Sequence, residues 1–340
     1  NKDQVINVSN SAQSALNSLF YKNSFDDYTL DDINLFKRDI NNTFDKINGG
    51  LLGSPKFPMV PLLRSLLATC SHDSKENLIS VNHIKKTVIS ICLGGIYDHI
   101  VGGFSRYSTD EYWLVPHFEK MLYDNAQLLE IISIIYSFSP NLILLNRIHK
   151  TYNWLMSEML FVDGDLHAYF SAIDADSENE EGKFYVWSFD EINKILKDES
   201  AEFVDQYGLK PGGNWDGKNI LNRIGRDKNA DFIYETSKRN DLNLKALQKY
   251  RSLRSRPFVD KKILTDWNSM LICGFAQAYI ATNDKKYIDE ANKIFTFIVK
   301  KHLDGEVLYH SSLGGVLGSR ATLDDYANFI KACFLLYTID

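Results

Sequence analysis

The chain carries no C-x-x-C and no cysteines at metal-ligand spacing: Cys70, Cys92, Cys273 and Cys333 stand singly inside apolar stretches. That pattern excludes a disulfide framework and a thiol-built metal centre, and reads as packing thiols of a reducing, cytoplasmic compartment. No run of eighteen apolar residues occurs, so no membrane-spanning helix is expected. There is no basic excess either. Against 44 Asp and Glu stand 38 Lys and Arg, a net charge of −6 that removes the electrostatic footprint of a nucleic-acid binder. The chain also lacks an initiating methionine and ends inside a helical pattern, which marks it as a piece of a longer protein. With 340 residues, 44% of them hydrophobic, a sizeable core is within reach.

What the chain does have is concentrated between Gly94 and Leu129. The glycine pairs Gly94-Gly95 and Gly102-Gly103 punctuate a segment that carries Arg106, Tyr107, Trp113, His117, Glu119, Lys120 and Asp124. Glycine pairs let backbone approach other groups closely, and the residues around them are of the kinds that bind ligands or move protons. This stretch reads as one wall of a site.

Helical periodicity recurs along the chain: about Asn10 to Asn48, Leu62 to Cys70, Val81 to Tyr97, Leu122 to Tyr136, Ile148 to Leu160 and Ile288 to His302. Between helices come glycine turns with short strand-like runs, such as Leu166 to Phe170 after Asp163-Gly164 and Val307 to His310 after Asp304-Gly305. Three helices open alike, at Leu122-Tyr-Asp124, Leu264-Thr-Asp266 and Leu323-Asp-Asp325, spaced 142 and then 59 residues apart. Repeated helical hairpins bury their faces by stacking on neighbours, and an array that closes becomes an α/α toroid. Helices that are apolar all round, as after Asp124, suit the inner ring; those with a charged side, as at Asn283 to His302, suit the outer ring. The expected architecture is therefore a single, predominantly α domain over 1–340, an (α/α)6 toroid with short β hairpins at one mouth, incomplete at its C-terminus. A loop region inserted at about 174–222 interrupts it, with a strand at Lys183 to Trp187 and a helix capped by Ser188 and Glu191. A further helix is expected around Leu244 to Leu253.

The three aspartates have a plain reading as helix N-caps, which does not exclude function, since caps of inner helices gather at one mouth. His117 lies seven residues before Asp124 and is a candidate general acid or base. Glu119, Asp174, Asp176, Asp266, Asp324 and Asp325 supply carboxylates enough for a two-acid mechanism, although spacing in sequence does not give their separation in space. Asp174-x-Asp176-x-Glu178 opens like a calcium loop, but Tyr185 stands where the bidentate glutamate belongs, so a solvated acidic loop is expected and no metal. Trp215, Trp267 and Tyr326 are candidate stacking surfaces for a sugar ring, with core packing as the other reading of the tryptophans. For a reaction needing two proton-transfer groups, His167 or His310 would partner His117.

Several long motifs resemble the thioredoxin-domain-containing proteins typified by spermatogenesis-associated protein 20 and its bacterial relatives. They are Gly53-Ser-Pro-Lys-Phe-Pro58, the Gly94 to Leu129 stretch with Pro-His-Phe-Glu-Lys-Met-Leu-Tyr-Asp-Asn, and Asp174-Ala-Asp-Ser-Glu with Glu181 to Trp187. Gly213 to Leu221, Arg254 to Pro257 with Lys262 to Asn268, and Leu323 to Ala327 complete the match. The resemblance implies an N-terminal thioredoxin-like domain, absent here, followed by a six-hairpin toroid akin to glycosidases and N-acylglucosamine 2-epimerases. It departs at Trp267-Asn268-Ser269, where relatives read Trp-Asn-Gly. The expected function is a carbohydrate-active enzyme without a cofactor, glycosidase-like or sugar-epimerase-like. His117, Glu119, Asp124, Asp266 and Asp325 are its candidate catalytic residues. Lys56, Arg106, Tyr107, Asp174, Asp176, Trp215, Trp267, Asn268, Asp324 and Tyr326 would hold a small-molecule or glycan ligand. The alternative is a non-catalytic ligand-binding or docking module that works with the thioredoxin-like domain.

Overall fold

The structure is a computed structural model that describes residues 2–20, 29–70, 75–197, 200–226 and 233–339. The chain divides into two compact units, Asn1–Ile40 and Asn41–Asp340. The first holds α1 (Lys2–Phe20) and most of α2 (Leu30–Thr43). Thr29 opens α2: its Oγ1 accepts from the Asp32 N–H at 3.3 Å while Asp32 accepts from the Thr29 N–H at 2.8 Å. Both helices fall within the segment expected as helical from Asn10 to Asn48 or run into it, and residues 21–28 lie outside the described residues.

In the second unit α3 (Val60–Ala68) and α4 (Lys75–Leu93) precede the short strands β1 (Tyr107–Ser108), β2 (Pro116–His117) and β3 (Lys120–Met121). Next come α5 (Leu122–Phe138) and α6 (Leu142–Trp154), a π-helical turn at Leu155–Met159, the hairpin β4 (Leu160–Asp163) with β5 (Leu166–Tyr169), and β6 (Ala172–Ile173). An inserted region holds β7 (Asp176–Ser177), β8 (Glu180–Glu181), α7 (Phe189–Leu196), α8 (Ser200–Gln206) and α9 (Lys238–Arg251), and the chain returns at β9 (Val259–Asp260). Then follow β10 (Ile263–Leu264), α10 (Thr265–Thr282), α11 (Lys285–Phe297) with a π-helical turn at Ile298–His302, β11 (Leu303–Asp304) and β12 (Val307–Leu308). β13 (Ser311–Leu313), β14 (Val316–Leu317) and α12 (Leu323–Tyr337) end the chain.

Helices α3, α5, α10 and α12 pack side by side in that order, and α4, α6 and α11 back them. This is the arrangement of an α/α toroid, predominantly helical, with the short strands gathered where the inner helices begin. Apolar residues on every face explain the inner position of α5, whose Leu128, Leu129, Ile131, Ile132 and Ile135 are all buried. Each such side chain contributes about 1.5–3 kcal/mol by leaving water. Gly274 lets α10 approach α5 closely, since a Cβ there would stand 2.8 Å from the Ala126 carbonyl.

The α5–α6 unit recurs at a constant interval. Leu122 to Thr265, Leu142 to Lys285, Leu155 to Ile298 and Leu160 to Leu303 are each 143 residues apart. The interval of 142 expected from the Leu-x-Asp openings is therefore off by one. The matched residues are Asn125 and Asn268, fourth in their helices: each clamps a backbone, accepting from an N–H and donating to the carbonyl of the same residue. Asn125 does so at Phe104 (2.7 and 3.0 Å) and Asn268 at Tyr169 (2.8 and 3.1 Å). Asn268, expected to touch a ligand, is thus a buried bracket. The helix also runs straight through Trp267-Asn268-Ser269, where Ser269 Oγ donates to the Thr265 carbonyl at 2.6 Å, so there is no tight turn there.

A second repeat lies in the turns, at Asp45-Lys-Ile-Asn-Gly-Gly50 and Asp98-His-Ile-Val-Gly-Gly103. In both, the aspartate N–H donates to the second glycine's carbonyl (2.8 and 3.0 Å). A buried lysine then closes the turn. Lys56 Nζ donates to Asp45 Oδ2 at 2.5 Å and to the Gly49 carbonyl at 2.8 Å; Lys120 Nζ donates to Asp98 Oδ2 at 2.9 Å and to the Gly102 carbonyl at 3.1 Å. A tryptophan lies against each second glycine, Trp113 at Gly50 and Trp154 at Gly103. Lys56 is therefore a turn brace rather than the ligand contact expected, because an acid eleven residues earlier buries it.

The inserted region reaches past the expected boundary near 222 and rejoins at Val259, where β9 pairs with β6 in the sheet β3-β6-β9. It builds its own core on Trp187, Phe203, Tyr207 and Leu247. Ser188 and Glu191 form the expected capping box of α7. Residues 183–185 form a turn instead of the expected strand, and the helix expected at Leu244 to Leu253 spans Lys238–Arg251. All four cysteines are free thiols, Cys92 and Cys273 buried, Cys70 and Cys333 half-buried. No described helix is long and apolar enough to cross a membrane.

Candidate active site

Three inner helices carry an aspartate in the first turn, where backbone N–H groups lack intrahelical partners. Asp124, Asp266 and Asp325 all lie there but are not the N-caps expected of them: Met121, Leu264 and Thr322 hold those positions. Asp325 is the third residue of α12 and reaches back to the Thr322 N–H at 2.7 Å, closing a capping box. It also accepts from the Asp266 N–H at 3.1 Å and pairs with His310 Nδ1 at 2.9 Å. Asp266, Asp325 and His310 bring one ligand atom each within 4.8 Å of one another, a set able to hold a cation; Asp325 already spends its oxygens on these protein donors. Burial, and then the neighbouring Asp325, raise Asp266 above the usual carboxylate range.

From this pair a continuous run of contacts leads to the glycine-rich segment. Trp267, next to Asp266, meets Tyr123 edge to face at 4.8 Å. The Tyr123 hydroxyl accepts from Arg106 Nε at 3.0 Å. Arg106 Nη1 lies 3.5 Å from Glu119, and Glu119 lies 3.6 Å from His117 Nε2. His117 Nδ1 meets Glu181 of the inserted region at 2.7 Å, and its ring stacks on Tyr107 at 5.0 Å, which in turn stacks on Phe57 at 4.6 Å. The antiparallel pairing of Tyr107 with His117 across β1 and β2 sets this register.

Asp124 stands out within the run. One of its oxygens, Oδ2, is buried with no hydrogen-bond partner. Burial pushes its carboxyl up to about 8, against the opposing pull of Arg106 and Tyr123. Burial thus favours the protonated form of Asp124, and Arg106, whose pull opposes this, also lies 3.5 Å from Glu119.

Of the expected site residues, the structure connects His117, Glu119, Asp124, Arg106, Tyr107, Asp266, Trp267 and Asp325. Asp324 and Tyr326 occupy the exposed first turn of α12 without a partner contact to the run. Asp174 and Asp176 are exposed in the β7 hairpin. Trp215 is half-buried and packs on Phe118 at 5.5 Å, in a cluster with Val186 and Ile220. Of the remaining histidines proposed as partners, His310 joins the run through Asp325, whereas His167 pairs with buried Glu290 at 2.6 Å. Tyr123 and Glu181 were missed as site residues; Tyr123 stood inside the quoted Leu-Tyr-Asp opening, while Glu181 headed the Glu181 to Trp187 motif, 64 residues from the His117 that it meets.

No family model matches the chain. It is 32% identical over 336 residues to an uncharacterised protein of Caenorhabditis elegans, covering 87% of this chain and 46% of that protein. To human spermatogenesis-associated protein 20 it is 29% identical over 344 residues, covering 86% of this chain and 42% of that protein. The chain thus spans less than half the length of the curated relatives it matches. Among solved structures it is similar to a sugar epimerase from a ruminal bacterium (15% identity, 89% and 96% of the two chains, TM-score 0.35). It is also similar to a family 76 glycoside hydrolase, a mannosidase, of Bacteroides thetaiotaomicron (12%, 90% and 80%, TM-score 0.35). By sequence, its relatives are spermatogenesis-associated protein 20 and uncharacterised proteins.

Proposed function

We propose that the run at the mouth of the inner helices is the site of a carbohydrate-active enzyme, glycosidase-like or sugar-epimerase-like, with Asp124 as its general acid. The observation that carries this reading is the Asp124 carboxyl, pushed up to about 8 with its Oδ2 unpartnered. A carboxylic acid kept protonated at neutral pH beside a second carboxylate is the arrangement that glycosidic cleavage requires. In hydrolysis Asp124 delivers its proton to the leaving oxygen, and Glu119, held by Arg106 and adjacent to His117, serves as base or nucleophile. Trp267 and Tyr123 offer aromatic faces to a sugar ring, and Asp266, whose N–H Asp325 holds, accepts from its hydroxyls. His117, placed between Glu119 and Glu181, moves protons to and from Glu119.

The test is turnover of a panel of disaccharides, aryl glycosides and aldoses by the full-length protein and by Asp124→Asn. We expect activity that falls as pH rises through about 8 and is reduced at least about 100-fold in the variant. Full activity in Asp124→Asn would overturn the assignment. A second reading, a non-catalytic platform that docks a thioredoxin-like domain, draws on the relatives being more than twice as long as the matched region. Absence of turnover on the whole panel, together with saturable binding of a separately expressed thioredoxin-like domain of such a relative, would favour it.

A further inference from the structure

Below the mouth, α3, α5, α10 and α12 line an open cavity of about 400 Å³ formed by Arg64, Gln127, Glu130, Met270, Asn328 and Lys331, with Pro61, Ser65 and Ala68 completing its wall. Gln127 and Glu130 stand three and six residues beyond Asp124, and Asn328 and Lys331 three and six beyond Asp325, so both pairs lie further along the helices that the aspartates open. Glu130 is two per cent exposed and takes cations from two other helices: Arg64 Nη1 at 2.9 Å, and Lys331 Nζ at 3.0 and 3.1 Å. The two cations are each about one-third exposed, at 36% and 34%, while the carboxylate between them is closed off. The cavity therefore presents two positive groups against one buried negative one, with neutral amides and a hydroxyl around them.

We propose that this cavity is a subsite for the anionic group of a sugar acid or sugar phosphate, bound by Arg64 and Lys331 and oriented by Glu130, with the ring directed toward Asp124. The inference rests on the reading of the mouth as a carbohydrate site and names its substrate class. Six residues of helix separate Asp124 from Glu130, about 9 Å at 1.5 Å per residue, the span of one pyranose with its charged substituent. Arg64 suits a planar carboxylate or a phosphate through its fork of donors, and Lys331 adds a point charge. Glu130 holds both side chains in place before the ligand arrives, which limits the ordering cost of binding.

The experiment is a binding titration followed by calorimetry and thermal shift, on the full-length protein, with D-glucose, D-glucuronate, glucose 6-phosphate and inorganic phosphate as probes. Wild type should bind glucuronate or glucose 6-phosphate at least tenfold more tightly than glucose, and whichever binds better tells a carboxylate site from a phosphate site. Inorganic phosphate competing with glucose 6-phosphate supports the site. Arg64→Gln and Lys331→Gln, both at partly exposed positions where folding is expected to survive, should each abolish that preference while leaving the weak binding of glucose unchanged. Asp124→Asn should retain the preference. Turnover by the wild type on the same sugars separates the two readings: anion-selective binding without wild-type turnover leaves the subsite standing and removes the enzyme, whereas turnover of neutral sugars with no anion preference removes the subsite alone. Equal affinity for glucose and its anionic derivatives, or an unchanged preference in both Gln variants, would overturn the proposal.

Discussion

A single proton decides the chemistry of Asp124. Its carboxyl is held at about 8 in the folded protein by burial, whereas in the unfolded chain it ionises near 3.8. The folded state binds the extra proton between those values, so this group lowers stability as pH rises from about 4 to about 8 and no further beyond. Asp124→Asn removes that cost: its melting temperature should be higher than that of the wild type at pH 9 and closer to it at pH 5, measured by thermal scans across the range. A wild-type advantage at pH 9 would mean the carboxyl is ionised and satisfied. The residue type and position of Asp124 were readable in the sequence, but the burial that raises its carboxyl was not, because burial is a property of the packed mouth. The misreading of Lys56 has the same origin. Beside two prolines it looked like a ligand contact, while its partner Asp45 is near only because the intervening Gly49-Gly50 turn folds back.

At the scale of the element, two devices are repeated, and each predicts its own cost. Gly103 has φ +80°, and a Cβ there would lie 2.5 Å from Trp154 Cδ2. Gly305 has φ +60° and open space around it. Gly103→Ala should therefore destabilise by roughly 3 kcal/mol or more through clash plus strain, and Gly305→Ala by only about 1 kcal/mol. Urea midpoints of the two variants check this, and equal losses would show that Trp154 yields. Asn268→Ala leaves the Tyr169 N–H and carbonyl without their partner in a buried place, a loss of about 2–4 kcal/mol by the same measurement. Helix positions and the hairpin plan were legible because apolar residues recur at helical spacing. The exact register between repeats was not: Leu-x-Asp is the more conspicuous match, yet the asparagine fourth in each helix, one residue out of step with it, is what the structure holds constant.

Across the whole molecule, acid should act in two stages. His99 and His302 are buried and held neutral, lowered to about 3 and about 4 by burial, with Arg147 adding to the effect at His99. In the unfolded chain such rings take up a proton near 6.5, so stability falls as pH drops from about 6.5 toward 4. Below that the carboxylates take over. Asp45 and Glu235 are each held at about 2 despite burial, Asp45 by Lys56 and nearby N–H groups, Glu235 by Arg147 and Arg223. Their contribution is present above about 4 and is lost as pH falls through 2. The unfolding free energy measured against pH should show the first decline, and His302→Gln should flatten it by on the order of 3 kcal/mol between pH 7 and pH 4. The Gln amide retains partners in Thr265 and Ser312, which bond the native ring at 2.7 and 2.8 Å. An identical slope in variant and wild type would place the early acid loss elsewhere. None of these buried pairs could be matched from sequence, since Arg147 and Glu235 stand 88 residues apart and meet only when the inserted region docks on α6.

That inserted region has a further consequence. It leaves the body after Ile173 and re-enters at Val259, two residues that face each other across neighbouring antiparallel strands. Its ends are thus one strand spacing apart, about 4.8 Å. Topologically, residues 174–258 are a hairpin loop grown into a lobe, and a tight two-residue turn spans the same gap. The junction is a ready splice point: a shortened chain with such a turn tests what the lobe adds to the mouth, where it supplies Glu181, and a foreign domain with closely spaced termini can be seated in its stead.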